Sequence, residues 1–241
     1  MTSTRLQRQA GYAIHTLTAS GAVVGLLALQ AIFDGDIRMA LIWLLVSQVI
    51  DGLDGPVARK FDVVVHAPRI DGNILDLVVD YVTCVIVPIA FMAQTEMLPK
   101  RSESVLAGFM ILFSALWFAR TDIETSDNWF NGFPAAWNLA VPTLFLAHAT
   151  TDVVQIAFTI LCISQLTNLQ FPHMVQSKWM GKITLPFGIL YLLDLAYISF
   201  NYDNTSGYQL GLVTGGLLFA YPVYALAIGL VKTIRDQRAL A

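Results

Sequence analysis

Charge is what this sequence has least of. Asp, Glu, Lys and Arg make up 13% of its 241 residues, against 56% hydrophobic, where soluble domains carry about a quarter charged residues. That balance excludes an ordinary soluble domain and reads as an integral membrane protein. The 14 basic and 17 acidic residues nearly cancel to a net −3, and the absence of any basic block excludes a nucleic-acid partner. Cysteine is almost missing. Cys84 and Cys162 each sit inside an apolar run, which excludes a disulfide framework and a cysteine metal site. Internal repeats, low-complexity tracts and a separate soluble segment are also lacking, so residues 1–241 read as one membrane domain. The short basic start before "GYAIHTLTASGAVVGLLALQAIF" resembles a signal peptide, but its apolar run is too long and lacks a small-residue cleavage site. It reads as a retained first span.

What is present is a series of long apolar runs. A span needs about 20 mainly apolar residues, and eight candidates occur, at 11–33, 38–58, 70–92, 104–119, 133–149, 152–168, 183–200 and 210–231. The expected fold is an all-α integral membrane bundle of about eight transmembrane helices. Eight spans place both termini on one side. Arg5, Arg8, Arg59, Lys60, Arg69, Arg120, Lys178, Lys182, Lys232, Arg235 and Arg238 fall there, and only Arg38, Lys100 and Arg101 fall opposite. The excess of Lys and Arg marks the cytoplasmic side, so both termini and the 59–69 turn are expected in the cytoplasm.

The remaining charge is concentrated. "DGLDGPVARK" closes the second span and "RIDGNILDLVVD" opens the third. Residues three or four apart share a helix face, so Asp51 and Asp54 point one way and Asp76 and Asp80 point one way. Adjacent antiparallel helices bring the four together at one membrane edge. A single aspartate there is as readily a solvated helix end. Four at these spacings repel one another at low dielectric and call for a cation between them. Oxygen donors without His or Cys favour Mg²⁺ or Mn²⁺ over zinc. Gly52, Gly55 and Gly72, with Ala58, leave room beside the carboxylates for a bulky ligand, and Arg59 offers a fork for phosphate. Asp62 and Asp71 lie in the turn and read as solvated or paired with Lys60 or Arg69.

These residues resemble the signature of the CDP-alcohol phosphotransferases, D-x2-D-G-x2-A-R, a spacer, then G-x3-D-x3-D. Asp51, Asp54, Gly55, Ala58, Arg59, Gly72, Asp76 and Asp80 match all eight fixed positions. The match covers about 30 residues directly. The twelve-residue spacer "KFDVVVHAPRID" is longer than the family's usual one. With the span count and the string "GFPAAWN", it resembles the bacterial phosphatidylcholine synthase branch. The resemblance implies a metal-dependent phosphatidyltransferase that moves the phosphatidyl group of CDP-diacylglycerol to choline, giving phosphatidylcholine and CMP. It implies that Asp51, Asp54 and Asp76 hold Mn²⁺ or Mg²⁺. Asp80 is then the general base and a further ligand, Gly55, Ala58 and Gly72 make room for cytidine, and Arg59 steadies the diphosphate. It places the protein in the bacterial inner membrane, with the site at the cytoplasmic face, among membrane lipid, and leaves room for a homodimer. Serine, inositol or glycerol phosphate remain alternative acceptors. A divalent-cation transporter is the alternative from another class, although transporter ion sites lie near the midplane.

Choline carries a quaternary ammonium without N–H groups, which aromatic faces recognise. Trp137, Trp129 and Trp117 lie near the expected cytoplasmic level, with Trp137 and Asn138 opening the fifth span. Each is as readily a membrane-interface tryptophan. Asp194 lies inside the seventh span, where an ionisable group is a functional candidate or the partner of another helix. His15, Thr16, Thr18 and Ser20 open the first span, near nucleotide or bonded to helix backbone.

Overall fold

The computed structural model of the chain describes residues 4–240. Ten α-helices follow in order: α1 Arg5–Phe33, α2 Ile37–Lys60, α3 Val63–His66, α4 Gly72–Asp80, α5 Val87–Gln94, α6 Lys100–Phe118, α7 Trp137–Leu146, α8 Thr151–Gln165, α9 Gly181–Phe200 and α10 Leu212–Leu240. A π-helical turn, Tyr81–Ile86, joins α4 to α5, so residues 72–94 form one continuous rod. Short polar residues start the helices. Thr4 accepts from Gln7 N in a capping box, Asp36 accepts from Met39 N at 3.0 Å, and Asp71 accepts from Asn73 N and Ile74 N. Asp71 is therefore the cap of α4, which accounts for its place in the turn.

All eight expected apolar segments are helical. Among the described residues six helices are long and apolar enough to cross a membrane, whereas α7 and α8 have 10 and 15 residues. Ten residues rise only about 15 Å, half the hydrocarbon thickness of about 30 Å. The cause lies just before α7. Gly132 and Ala135 take positive φ, 81° and 51°, around Pro134, so the chain enters the bundle extended. Phe133 and Ala135 are buried there, and non-helical backbone at membrane depth is tolerated where protein covers it. At the other end His148 Nε2 lies 3.2 Å from the carbonyl oxygen of Tyr208, in the loop between α9 and α10. The hairpin thus reaches from one end of the bundle to the other.

The polar end departs from an all-helical reading. β1, Trp129–Asn131, pairs antiparallel with β2, Gln170–Pro172. Arg120 ties this cap together, donating to the carbonyls of Gln165 and Thr167 at 2.9 Å each and to the Asp122 carboxylate. Lys232 of α10 is buried and pairs with Asp127 at 3.0 Å and with Asp236, while Arg235 stacks on Trp179. Outward faces stay apolar and uncovered, as at Leu26, Leu116, Ile160, Leu193 and Val223, which are 50–62% exposed. In a membrane protein that surface meets lipid.

Packing of α1 sets the position of α4. A Cβ on Gly11 would lie 2.9 Å from the Ala67 Cβ, one on Gly21 2.7 Å from Val79 Cγ1, and one on Gly25 3.3 Å from Thr83 Cγ2 and Val82 Cγ1. Small residues let helix backbones approach closely in a membrane. Three glycines on one face of α1 therefore draw in the turn after α3, then α4, then the π turn. That turn precedes Pro88, which has no N–H for the Cys84 carbonyl and would clash with it in a regular helix. The wider turn accommodates the proline and follows Asp80 directly.

Candidate active site

The close packing of α1 on both α2 and α4 brings the carboxylates together. Asp51, Asp76 and Asp80 each offer one oxygen, all within 4.8 Å of one another. Asp54 lies beside this triad and is 6% exposed, with Thr18, the Gly55 backbone N–H and Arg59 as neighbours. The helix spacing thus delivers both same-face pairs to one place, with Asp54 turned toward α1 and Arg59.

Nothing basic neutralises the triad. Among the described residues, no lysine or arginine forms an ion pair with Asp51, Asp76 or Asp80. Asp51 Oδ2 instead accepts from Gln48 Nε2 at 3.0 Å. Three clustered carboxylates with oxygen donors alone fit a hard divalent cation, which binds oxygen at about 2.0–2.6 Å. The cluster supplies one face of such a coordination shell and leaves the rest for ligand or water.

The small residues have more particular neighbours than their spacing implied. A Cβ on Gly55 would lie 3.3 Å from Arg59 Nη1, so Gly55 seats the guanidinium against its own helix. A Cβ on Gly72 would lie 3.3 Å from His15 Cε1. His15 is 6% exposed, and its Nε2 has no hydrogen-bond partner. Gly52 faces open space, and Ala58 packs on a small cluster of Ile14, Val63 and Ala67. Arg59 acts electrostatically on His173 and Glu124 of the polar cap. Burial first, and the Arg59 charge second, push the His173 imidazole down to about 4.

The three tryptophans expected at a choline site have other partners. Trp137, Trp129 and Trp117 are 0%, 0% and 2% exposed. Trp137 Nε1 donates to Ser114 Oγ at 2.9 Å, and its ring packs edge-on against Phe133 and Phe158. Trp129 packs on Trp179 with Lys232 over its ring. Trp117 donates to the Asn131 carbonyl and meets Phe118 and Phe130. All three rings are buried against protein, and none presents an exposed face. Composition indicates the level of these rings in the bundle but not the direction in which they point. Asp194 is 5% exposed, and its Oδ2 has no partner. Sequence reasoning missed Gln48 as a contact of the site. A single amide one turn before Asp51 carried no motif signal.

An acidic triad with Arg59 beside its neighbour Asp54, at the polar end of an apolar bundle, fits a divalent cation next to a phosphate-bearing ligand. The sequence profile described as CDP-alcohol phosphatidyltransferase matches residues 14–220. The chain belongs to the CDP-alcohol phosphatidyltransferase family, a divalent-metal-dependent group of enzymes. It is 29% identical to the phosphatidylcholine synthase of Pseudomonas aeruginosa over 98% of this chain and 97% of that one. It is 32% identical to the phosphatidylcholine synthase of Borreliella burgdorferi, over 86% and 89% of the two chains. Identity to the phosphatidylcholine synthase of Rhizobium meliloti is 30%, over 92% and 90%.

Proposed function

We propose that this phosphatidyltransferase uses CDP-diacylglycerol as donor and choline as acceptor, releasing phosphatidylcholine and CMP. The observation that carries the reading is the carboxylate triad of the eight-residue signature, set at the polar end of the bundle. The near full-length similarity to proteins named phosphatidylcholine synthase supports choline over serine or inositol.

Asp51, Asp54 and Asp76 are the residues to hold Mn²⁺ or Mg²⁺, with Asp80 completing the set and serving as general base. A divalent cation bound there supplies charge neutralisation at the diphosphate and the departing CMP. Choline's hydroxyl is a weak nucleophile, and Asp80 accepts its proton as the oxygen attacks the phosphorus that carries diacylglycerol. That phosphorus–oxygen bond forms as the bond to the bridging oxygen breaks, and the leaving electron pair goes to CMP. Arg59, held against Gly55, steadies the diphosphate, and Gly55, Ala58 and Gly72 line the nucleotide side. The acyl chains stay in lipid while the headgroup reaches the triad, which explains a polar site at the end of apolar helices.

We place the whole chain, 1–241, as one domain in the bacterial inner membrane, as monomer or homodimer, with both termini and the triad at the cytoplasmic face. The bias of eleven of the 14 basic residues to that end supports the orientation. The test of function offers the purified protein CDP-diacylglycerol with choline, serine, inositol or glycerol 3-phosphate, with Mn²⁺ or Mg²⁺, and separates the lipid products. Phosphatidylcholine in excess of the others is expected. A different phospholipid overturns the acceptor, and no product with any acceptor overturns the donor. Orientation is tested with single cysteines at Val65 and Lys100. An impermeant label added from the periplasm should reach position 100 and not 65.

A further inference from the structure

Behind the triad runs a short chain of side-chain amides. Asp51 Oδ2 accepts from Gln48 Nε2 at 3.0 Å, and Gln48 Oε1 accepts from Asn138 Nδ2 at 2.8 Å, across 90 sequence positions. With Asp51 ionised, as a metal ligand is, the directions follow. An ionised carboxylate only accepts, so Gln48 must turn its NH₂ to Asp51 and its carbonyl to Asn138. Asn138 must then present its own NH₂. Each link fixes the next.

Asn138 is well placed to hold that orientation. It lies in the first turn of α7 and is 3% exposed. Its neighbour Trp137 is anchored to Ser114, which also accepts from Gln165 Nε2 at 3.1 Å. The start of α7 is thereby pinned to α6 and α8 while Asn138 reaches α2. Its own Oδ1 has no partner. A buried carbonyl left unpaired is unfavourable, and an aliphatic side chain would fill the space without that cost, so packing alone does not account for an asparagine here.

We propose that Gln48 and Asn138 are positioning residues for Asp51, locking one carboxylate oxygen so that the other stays turned toward the divalent cation. The inference rests on the triad being the metal site. Partners that orient a metal ligand commonly change affinity or activity by about 10–100-fold when removed. Because the two amides act in series, losing Asn138 frees the Gln48 amide to turn, whereas losing Gln48 removes the contact altogether.

The test uses the full chain purified in detergent, with Mn²⁺ alone as probe and free Mn²⁺ read by electron paramagnetic resonance. Gln48→Leu is expected to weaken Mn²⁺ binding about tenfold, and Asn138→Leu by a smaller factor. The double variant should bind like Gln48→Leu alone, since the chain is already broken there. Raised Mn²⁺ should restore transfer activity to Asn138→Leu. Additive losses in the double variant, or wild-type affinity in both single variants, overturn the proposal. If Gln48→Leu does not fold, Gln48→Met, unbranched and of similar volume, takes its place under the same criteria. Asp51→Asn separates the two levels of failure. If it loses Mn²⁺ while both amide variants keep it, only the positioning role falls. If wild type and Asp51→Asn bind Mn²⁺ equally, or not at all, the metal site itself falls and the positioning role with it.

Discussion

A single methyl group on α1, which carries none of the three carboxylates, should disturb the metal ligands on the neighbouring α4. In Gly21→Ala the new Cβ would stand 2.7 Å from Val79 Cγ1. Relief requires about 0.7 Å, the gap to the 3.4 Å at which ordinary contact begins. Val79 is 7% exposed, and a β-branched side chain in a helix has one strongly preferred rotamer, so it cannot swing aside. The strain passes to the backbone of α4, where Val79 sits between Asp76 and Asp80. Overpacking of this kind costs about 1–3 kcal/mol. The displacement exceeds the tolerance of about 0.2 Å for metal–ligand distances, so ligand geometry suffers beyond the loss of stability. The assay is thermal unfolding in detergent with and without Mn²⁺. A tenfold loss of affinity removes about 1.4 kcal/mol of the Mn²⁺-dependent stabilisation at saturating metal. Gly21→Ala should therefore lower the apo midpoint and also shrink the upward shift with Mn²⁺. Adding Val79→Ala should restore much of both by removing the clashing methyl. Wild-type midpoints and an unchanged Mn²⁺ shift in Gly21→Ala would refute the claim that α1 packing sets the position of α4.

Other substitutions separate roles within the site. Asp51→Asn, Asp54→Asn, Asp76→Asn and Asp80→Asn should each abolish transfer, the first three with a large loss of Mn²⁺ binding and Asp80→Asn with a smaller one; equal metal loss in all four would make Asp80 mainly a ligand. Trp137→Ala should cost about 3–5 kcal/mol of stability, as large aromatic truncations in cores do, and should change the apparent KM for choline and for CDP-diacylglycerol alike. A selective rise in the choline KM would return Trp137 to the acceptor site. His173 should make the polar cap acid-sensitive. Its folded value of about 4 lies below the ordinary 6.5, so the unfolded loop binds more protons between these values. Its contribution is whole above about pH 6.5 and is lost as pH falls toward 4. Amide exchange at Gln170–Gln176 should quicken over that window, and an unchanged pH profile in His173→Gln would assign the effect elsewhere.

The sequence announced the carboxylates because their spacing is a property of the helix itself. Positions 51 and 54, and 76 and 80, fall on one face whatever surrounds them, and "RIDGNILDLVVD" must begin a span. Hydropathy located all eight apolar segments for the same reason. It failed on the length of α7, since the extended entry at Phe133–Ala136 is as apolar as a helix and differs only in backbone angles at Gly132 and Ala135. The tryptophans show the complementary limit. Composition gives the level of Trp137 in the bundle, but whether its ring meets solvent or Phe158 depends on where α8 packs. The glycines were legible as gaps and illegible as to occupant. Gly55 accommodates Arg59, and Gly72 accommodates His15. Gln48 and Asn138 lie 90 positions apart and match no motif, so only the packing of α2 against α7 joins them.

These contacts divide the support of the triad between two interfaces. Asp76 and Asp80 ride on α4, whose distance from α1 is set by Gly21 and Gly25 against Val79, Val82 and Thr83. Asp51 rides on α2 and is tethered through Gln48 to α7, on a hairpin itself anchored to Ser114 of α6. A cation drawing on all three carboxylates ties α2 to α4, which α1 already holds side by side, and offsets the repulsion between their charges. Metal should then stabilise the bundle as a whole, and loosening either interface should weaken metal binding without removing any ligand. That coupling is why Gly21→Ala, acting through Val79 of α4, and Asn138→Leu, acting through Gln48 of α2, are expected to share one phenotype that higher Mn²⁺ relieves.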